Sequence, residues 1–425
     1  MRTDSGALKG RRILVAASGS IAAVKTPLLV SALVQAGAQV RCLLSPSAEQ
    51  LVSPVAVASL SRHRCYLERD QWDPSCARPL HIELAEWAEL VVVAPLSATT
   101  LGRWVHGLAD GLLASTLLAC ERPVLAAVAM NTAMWKHPAI QANWQSLHQF
   151  PSVMPLPPSP GLLACDRLGD GRMADPIRIQ LAAAAVFSGD GDAPRCDRSW
   201  SGRRLLVSAG ATLEAIDPAR LISNRSSGRM GVLLAQVARL RGAEVDLVHG
   251  PLQVPSAWLE GLCCEPVESA DQMQQALQRR QPQADALAMV AAVADLRRSD
   301  AGLSSKPAKA DLPQLLSQGW EPVPDLLRDL VNRKPSGQRI LGFAALTGSD
   351  DELLRRGAEK RGLKGCDLLM VNPVDRPGEG FAEDHASGWL LGDALQQRLP
   401  VMSKLVLAQR LLDALGGLLE TPTGC

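Results

Sequence analysis

Three residues in the first half of the chain stand beside apolar stretches, where their side chains could do chemistry. His81 heads the amphipathic segment HIELAEWAEL, Asn131 follows VLAAVAM, and Cys165 lies in a Gly- and Pro-punctuated segment. A helix N-terminus favours a neutral, base-competent imidazole, an amide can bind a carboxylate, and a loop thiol can act as a general acid. Each residue alone also has a structural interpretation: a capping or core histidine, a capping asparagine, an idle thiol.

Two turns of small residues are candidate phosphate sites. They are Ser18-Gly19-Ser20, after the first apolar stretch, and Ser226-Ser227-Gly228 in SNRSSGRMG. Free N–H groups at a helix N-terminus bind phosphate oxygens well. Neither turn matches GxGxxG or GxxxxGK[ST], which disfavours a conventional NAD site. Each turn could equally be only a tight connection between a strand and a helix.

These turns occupy equivalent places in two similar stretches, GRRILVAASGS from residue 10 and GRRLLVSAGAT from residue 202. Each stretch predicts a buried strand, a small turn, an amphipathic helix ending at a glycine (Gly37 or Gly242), and a second strand. The pattern predicts an α/β protein of two doubly wound domains with mainly parallel sheets. A segment rich in Gly, Ser, Asp and Pro at 188–202 predicts a linker, with domains at 1–190 and 191–425.

The segment FPSVMPLPPSPGLLACDRLGDGRMADP, which contains Cys165, is interpreted as a long loop. Loops of this length are often functional.

Composition limits the possible classes of protein. A length of 425 residues suggests two domains, and 44 basic against 43 acidic residues leave a net charge of +1. Nothing in this balance indicates a nucleic-acid or membrane partner. Ten cysteines without regular spacing predict neither a disulfide framework nor a zinc site. The apolar runs are too short to span a bilayer and MRTDSGALKGRR has no apolar core, so we expect a cytoplasmic protein.

The order of motifs is more specific than any one of them. HIEL at residue 81, Ala94-Pro95, AMNTAM at residue 129, Ala164-Cys165 and GRM at residue 171 resemble the pattern of homo-oligomeric flavin-containing cysteine decarboxylases. The second half carries AGATLEAIDPARLISNRSSGRMG, AAVAD, GFAA and KRGLK, which resemble the nucleotide-binding segments of phosphopantothenate-cysteine ligases. The chain therefore resembles, over nearly all of residues 10 to 410, the bifunctional decarboxylase-ligases of coenzyme A synthesis.

For the first half, the resemblance implies a flavodoxin-like flavoprotein domain that uses FMN to decarboxylate 4'-phosphopantothenoylcysteine to 4'-phosphopantetheine. It implies Cys165 as the proton donor, with His81 and Asn131 as further residues of the decarboxylase site. The residues it implies for FMN are Ser18, Gly19, Ser20, Ser45, Ala94, Pro95, Ser97 and Thr99.

For the second half, the resemblance implies a Rossmann-like domain that joins 4'-phosphopantothenate to cysteine through an acyl-cytidylate made from CTP with Mg²⁺. Asn224 would orient the acyl phosphate, Lys306 would stabilise phosphoryl charge, and Asp295 would contact the metal. The residues implied for CTP are Ser226, Ser227, Gly228, Asp295, Lys306, Pro324, Asp325, Leu326, Leu327, Phe343, Lys360 and Lys364. The resemblance also implies a homo-oligomer with trimeric decarboxylase and dimeric ligase contacts.

Two alternatives stay open at this point. One is a flavin-dependent peptidyl-cysteine decarboxylase with an unrelated second domain. The other is a non-catalytic regulatory relative that keeps the flavin fold as a binding module.

Overall fold

The computed structural model describes residues 6–75, 77–189, 191, 193–300 and 302–420. They form two compact units. The first unit runs to Asp197 and also includes Ser256–Gly261, while the second comprises Arg198–Pro255 and the chain from Leu262 onward. The division falls within the segment 188–202, but the inclusion of Ser256–Gly261 in the first unit departs from a simple split at residue 190. None of the described helices combines the length and apolarity needed to cross a lipid bilayer.

The first unit contains a parallel six-stranded sheet and a separate hairpin. Its strands are β1 (Arg12–Ala17), β2 (Gln39–Leu44), β3 (Cys65–Leu67), β4 (Leu90–Leu96), β5 (Val124–Val128), β6 (Val153–Leu156), β7 (Ser159–Leu162) and β8 (Leu168–Arg172). The sheet order is β3-β2-β1-β4-β5-β6. This order confirms the doubly wound architecture, and it differs from the 2-1-3-4-5 order of flavodoxin itself.

The helices of the first unit cover the sheet. They are α1 (Thr26–Gln35), α2 (Pro46–Glu49), α3 (Pro54–Ser61), α4 (Leu80–Trp87), α5 (Ala98–Val105), α6 (Leu112–Ala119), α7 (Thr132–Lys136), α8 (Pro138–Leu147) and α9 (Pro176–Val186). Every residue of β4 is buried, as expected for a central strand of a parallel sheet that is covered on both faces. The predicted stop of the first long helix is confirmed, because Gly37 follows α1 with a φ of +93°.

The segment around Cys165 is not the structureless loop that its glycines and prolines suggested. Strands β7 and β8 pair antiparallel, from Ser159 opposite Arg172 to Leu162 opposite Leu168. Cys165 therefore lies at the tip of a β-hairpin.

The second unit repeats the topology of the first and extends it. Its strands are β9 (Arg204–Ala209), β10 (Leu213–Asp217), β11 (Arg220–Ser223), β12 (Glu244–His249), β13 (Cys263–Pro266), β14 (Ala286–Met289), β15 (Leu296–Arg298), β16 (Trp320–Pro322), β17 (Arg339–Leu346), β18 (Leu368–Pro373), β19 (His385–Leu391) and β20 (Gln396–Ser403). The main sheet has the order β13-β12-β9-β14-β17-β18-β19-β20. Its first six strands are parallel, whereas β19 and β20 add an antiparallel edge that the sequence pattern did not indicate.

The helices of the second unit are α10 (Arg229–Leu240), α11 (Ala270–Arg280), α12 (Leu312–Ser317), α13 (Leu326–Asn332), α14 (Asp350–Lys364) and α15 (Lys404–Glu420). Gly242 has a φ of +95° just beyond α10, so the second predicted helix stop is also confirmed. Two small antiparallel pairs, β10–β11 and β15–β16, stand apart from the main sheet. Trp200, inside the predicted linker, is fully buried, so the end of that segment belongs to a folded core.

Candidate active sites

The carboxyl ends of β1 and β4 meet where the strand order of the first sheet reverses, the usual place for a ligand in such folds. Ser18 is fully buried there. Its hydroxyl donates to the carbonyl of Pro95 at 2.8 Å and accepts from the backbone N–H of Ser97 at 2.7 Å. The carbonyl of Ala94 accepts from the Thr26 hydroxyl at 2.9 Å. Ser18 and Ala94 therefore shape the crevice, and the role of the Ser18-Gly19-Ser20 turn in binding a phosphate stays a prediction.

Three other predicted serines begin helical turns at this edge. Ser20, Ser45 and Ser97 cap the segments that follow β1, β2 and β4, which are neighbours in the sheet. Gly19 and Thr99 are exposed beside them. Hydroxyls and first-turn N–H groups are donors suited to a phosphate and to the polar edge of a flavin. The residues present at this edge therefore fit FMN.

Asn131 and Cys165, which are far apart in sequence, lie in contact. The Asn131 side-chain oxygen accepts from the backbone N–H of Ala133 at 2.8 Å and so caps α7. Its amide nitrogen donates to the Cys165 sulfur at 3.3 Å. Both side chains are exposed, and the second amide N–H of Asn131 has no partner among the described residues. Asn131 is thus both a helix cap and part of a polar pair that a substrate can reach.

Two glycines of β8 allow the hairpin to lie against the Asn131 segment. The backbone N–H of Met130 donates to the carbonyl of Gly171 at 3.1 Å. A Cβ on Gly171 would lie 2.2 Å from the Met130 carbonyl oxygen, and one on Gly169 would lie 2.4 Å from the Thr132 hydroxyl. Only glycine permits this approach, so the sequence GDG positions the hairpin that carries Cys165.

His81 stands in the first turn of α4 and is partly buried. Because α4 runs back to the start of β4, its N-terminus lies at the carboxyl edge of the sheet, the edge that also carries Asn131. Among the described residues, His81 makes no hydrogen bond to Asn131 or Cys165. Its role in the site stays a prediction.

In the second unit, a cavity of about 500 Å³ gathers most of the residues predicted to bind the nucleotide. Those that line it are Asn224, Ser226, Gly228, Asp295, Pro324, Asp325, Leu326, Leu327, Phe343, Lys360 and Lys364. They come from separate segments that the fold brings to the carboxyl ends of β9, β14 and β17. The volume falls within the range typical of small-molecule sites.

As in the first unit, a buried serine near the end of the first strand forms hydrogen bonds with the segment that follows a neighbouring strand. The Ser208 hydroxyl, fully buried in β9, accepts from the backbone N–H groups of Val290 and Ala291, each at 3.1 Å. Asn224 continues this attachment, since its amide nitrogen donates to the carbonyls of Ala292 at 3.2 Å and Val293 at 3.1 Å. Both N–H donors of Asn224 are therefore engaged, and its expected role in orienting the acyl phosphate stays a prediction. Its side-chain oxygen is the atom left for a substrate.

The predicted phosphate turn forms the start of α10. Gly228 caps the helix with a φ of +73°, and a Cβ there would lie 2.1 Å from the Leu252 side chain. The hydroxyls of Ser226 and Ser227 accept from the N–H groups of Gly228 and Arg229, both at 3.4 Å. Ser226 and Gly228 line the cavity, whereas Ser227 instead donates to the carbonyl of Phe381 at 3.2 Å.

Three charged side chains also line the cavity: Asp325, Lys364 and Asp295. Asp325 caps α13 and forms an ion pair with Lys364. Asp295 is exposed at the cavity edge. No group of three or more His, Cys, Asp or Glu side chains that could hold a metal ion is found in the part of the chain that the structure describes. Mg²⁺ often uses only one or two carboxylates together with phosphate oxygens and waters, so Asp295 fits such an ion when a nucleotide is bound.

Lys306 is exposed in the segment that follows β15 and is not among the residues that line the cavity. The neighbouring carbonyl of Pro307 accepts from Arg220 at 3.2 Å, and Arg220 is paired with Asp217 of β10. These contacts hold Pro307, the residue after Lys306, in place. The role of Lys306 stays a prediction.

Several residues of the cavity were missed by sequence reasoning, among them Arg229, Phe381 and Lys404. Lys404 is 4% exposed, and its ammonium donates to the carbonyls of Gly380 at 2.7 Å and Phe381 at 3.2 Å. Burial, and next the charge of Arg229, lower the pKa of Lys404 to about 8. A lysine at the start of the amphipathic segment LVLAQRLLDAL was the only sequence signal for it.

Comparison with known proteins agrees with this two-unit arrangement. The family model described as Flavoprotein matches residues 1–187. The family model described as DNA/pantothenate metabolism flavoprotein C-terminal domain matches residues 200–418.

Curated relatives match the chain over nearly its whole length. The coenzyme A biosynthesis bifunctional protein CoaBC of Bacillus subtilis is 36% identical, with 97% of this chain and 98% of the relative covered. That of Escherichia coli K12 is 33% identical, with 96% and 97% covered. Among solved structures, a PPC decarboxylase with a cysteine-to-serine change, complexed with pantothenoylaminoethenethiol, is 34% identical over 40% of this chain and 95% of its own, with a TM-score of 0.37. The C-terminal domain of a CoaBC protein is 30% identical over 52% and 98%, with a TM-score of 0.41.

The fold, the two family models and the curated relatives define a two-domain α/β enzyme whose first half is a flavoprotein. The chain belongs to the family of coenzyme A biosynthesis bifunctional proteins, which combine a decarboxylase with a ligase. Its membership over both halves overturns the alternative of a peptidyl-cysteine decarboxylase with an unrelated second domain.

Proposed function

We propose that the second unit activates the carboxylate of 4'-phosphopantothenate with CTP and then joins it to cysteine. The observation that supports this proposal is the single cavity that gathers Asn224, the start of α10, Asp295 and the segment 324–327. Attack of the carboxylate on the α-phosphorus of CTP releases pyrophosphate and leaves an acyl-cytidylate. The cysteine amine then attacks the acyl carbonyl, loses a proton and forms the amide bond as CMP leaves. Catalysis of this kind depends on positioning and on compensation of phosphoryl charge.

The residues of the cavity suit distinct parts of this reaction. The first-turn N–H groups of Met230 and Gly231 in α10, which lines the cavity, can bind phosphate oxygens. Asp295 would bind Mg²⁺ together with those oxygens. Because the amide N–H groups of Asn224 are engaged, its oxygen would accept a hydrogen bond from the attacking amine. Lys306 would have to reach the cavity from its exposed segment when substrates bind.

For the first unit, we propose decarboxylation of 4'-phosphopantothenoylcysteine to 4'-phosphopantetheine, supported above all by the contact between Asn131 and Cys165. Bound FMN would supply the electron sink, by oxidising the thiol end of the substrate so that the charge left by CO₂ is delocalised. Because the reaction is redox-neutral overall, the two electrons taken from the substrate would return to the enethiol left after CO₂ departs, and Cys165 would donate the proton that completes the product.

The geometry gives the neighbouring residues specific tasks. Asn131 orients the Cys165 sulfur with one N–H and would hold the substrate carboxylate or amide with the other. The hairpin would exclude water from the reacting atoms. His81, at the same sheet edge, would position or deprotonate the thiol end of the substrate. A non-catalytic relative would have no need of a thiol held in this way.

We further propose that the chain forms a homo-oligomer, with trimeric contacts in the decarboxylase half and dimeric contacts in the ligase half. Ile21, Val24 and Leu28 follow one another at helical spacing and are 57%, 53% and 64% exposed. Exposed apolar rows of this kind are typical of interfaces between subunits. Light scattering of the purified protein tests this proposal.

A direct assay tests the nucleotide proposal. The full chain is incubated with 4'-phosphopantothenate, cysteine, Mg²⁺ and either CTP or ATP, and pyrophosphate release is measured. We expect release that requires both acceptor substrates and is faster with CTP. Equal or faster release with ATP would contradict the proposed use of CTP.

A further inference from the structure

The segment from Gly380 to Asp384, which joins β18 to β19, forms part of the cavity wall in the second unit. Gly380 and Phe381 line the cavity. No residue of the segment has an expected role in the site, and nothing in its sequence GFAED indicates a substrate contact. Its position depends on side chains from two other elements.

Three side chains attach this segment. The Lys404 ammonium donates to the carbonyls of Gly380 and Phe381, at 2.7 and 3.2 Å. The hydroxyl of Ser227 donates to the same Phe381 carbonyl at 3.2 Å, and Arg229 forms an ion pair with Asp384. The turn Ser226-Ser227-Gly228 at the start of α10 is thereby linked to the Gly380–Asp384 segment.

Lys404 is a stronger attachment than Ser227, and it holds Gly380 and Phe381, the residues that line the cavity, whereas Arg229 holds Asp384. Hydrogen bonds from a charged donor are stronger than those between neutral groups, and the ammonium is buried, where such bonds are stronger still. Lys404 is also the first residue of α15, a helix packed into the core, so its backbone is firmly placed. Its backbone N–H donates to the carbonyl of Asp384 at 3.0 Å, which fixes the far end of the segment.

We propose that Lys404 is a positioning residue of the ligase site, which holds the Gly380–Phe381 wall against the phosphate turn and so sets the affinity for the nucleotide. The proposal rests on the proposed function in one respect, the identity of the nucleotide. It does not require that Lys404 contact substrate. Arg229 and Glu383 are the charged groups that act on its ammonium.

Two measurements on the full chain test the proposal. The first needs no nucleotide: chymotrypsin cleavage after Phe381 is followed by mass spectrometry in the wild type, Lys404→Met and Lys404→Arg. We expect cleavage at least about 10-fold faster in Lys404→Met, the scale of one lost hydrogen bond to a charged group, and largely restored resistance in Lys404→Arg. Unchanged cleavage in Lys404→Met overturns the proposal, whichever nucleotide the enzyme uses.

The second measurement is the KM for CTP in the pyrophosphate assay. A wall that is displaced raises KM by about 10-fold with a smaller change in kcat, whereas simple loss of folded protein lowers kcat and leaves KM unchanged. Because Ser227→Ala acts on the same carbonyl, its effect should not add to that of Lys404→Met. Arg355→Gln, which removes an exposed charge of α14, is the matched control.

These outcomes distinguish a failure of the proposed function from a failure of the role proposed for Lys404. A wild type that does not use CTP contradicts the proposed function, while the cleavage result still decides the role of Lys404. If the wild type uses CTP and Lys404→Met keeps a normal KM, or loses only kcat, the proposal is overturned.

Discussion

The substitution Gly171→Ala is the sharpest test of the hairpin's part in decarboxylation. A Cβ at this position would lie 2.2 Å from the carbonyl oxygen of Met130, whereas real Cβ contacts stay above 3.0 Å. The two segments must therefore separate by roughly 0.8 Å, the difference between those distances. The obstructing atom belongs to the backbone and cannot rotate away, so the hydrogen bond from Met130 to Gly171 is lost or lengthened.

This displacement moves the Cys165 hairpin away from Asn131. A misplacement of about 1 Å can lower a catalysed rate by about 10²-fold, and overpacking costs about 1–3 kcal/mol of stability. We therefore expect the decarboxylation rate of Gly171→Ala to fall by about 10²-fold while ligase activity is kept. The assay is CO₂ release from 4'-phosphopantothenoylcysteine, with pyrophosphate release measured on the same preparation.

Gly102→Ala is the matched control, because a Cβ at that position in α5 meets only ordinary contact, 3.5 Å from Asn143. Alanine in a helix interior should stabilise the protein slightly, by about 0.5–1 kcal/mol. If Gly171→Ala decarboxylates at the wild-type rate while folded normally, the close approach of the hairpin is not required for catalysis and the reasoning is refuted.

Three further predictions follow from the same sites. Cys165→Ser should still release CO₂ and bleach the flavin absorbance, but should form 4'-phosphopantetheine about 10²–10⁴-fold more slowly; normal product formation by mass spectrometry contradicts a proton-donor role. Lys306→Gln should slow CTP-dependent pyrophosphate release by about 10²-fold and leave decarboxylation untouched; unimpaired release assigns Lys306 to solvent. Residues 191–425 expressed alone should fold and keep ligase activity, since the cavity is built within the second unit; a fragment that is active only when the first half is restored contradicts separable domains.

Much of the fold was predictable because the same local pattern occurs twice. The stretches beginning at residues 10 and 202 each predicted a strand, a small turn and a helix that stops at glycine, and the structure confirms both. The antiparallel pair β19–β20 was not predicted. Its strands follow a parallel array without a helix of their own, and only pairing with β18 places them in the sheet.

The residues of the candidate sites were also predictable only in part. Residues in local motifs, such as Asn131 and Ser226, could be found because they follow apolar strands. The hairpin was misjudged as a loop, since its glycines serve close approach to Met130, a contact that no local pattern reveals. Lys404 was missed for a related reason: its partners Gly380 and Phe381 precede it on the far side of a hairpin.

The central claim is that one chain carries out two consecutive reactions. It is tested most directly by supplying the FMN-loaded full chain with 4'-phosphopantothenate, cysteine, CTP and Mg²⁺, and following pyrophosphate, CO₂ and 4'-phosphopantetheine together. We predict that pyrophosphate appears first, and that CO₂ and 4'-phosphopantetheine then form in equal amounts. Pyrophosphate release without CO₂, or no release of either, would contradict the claim.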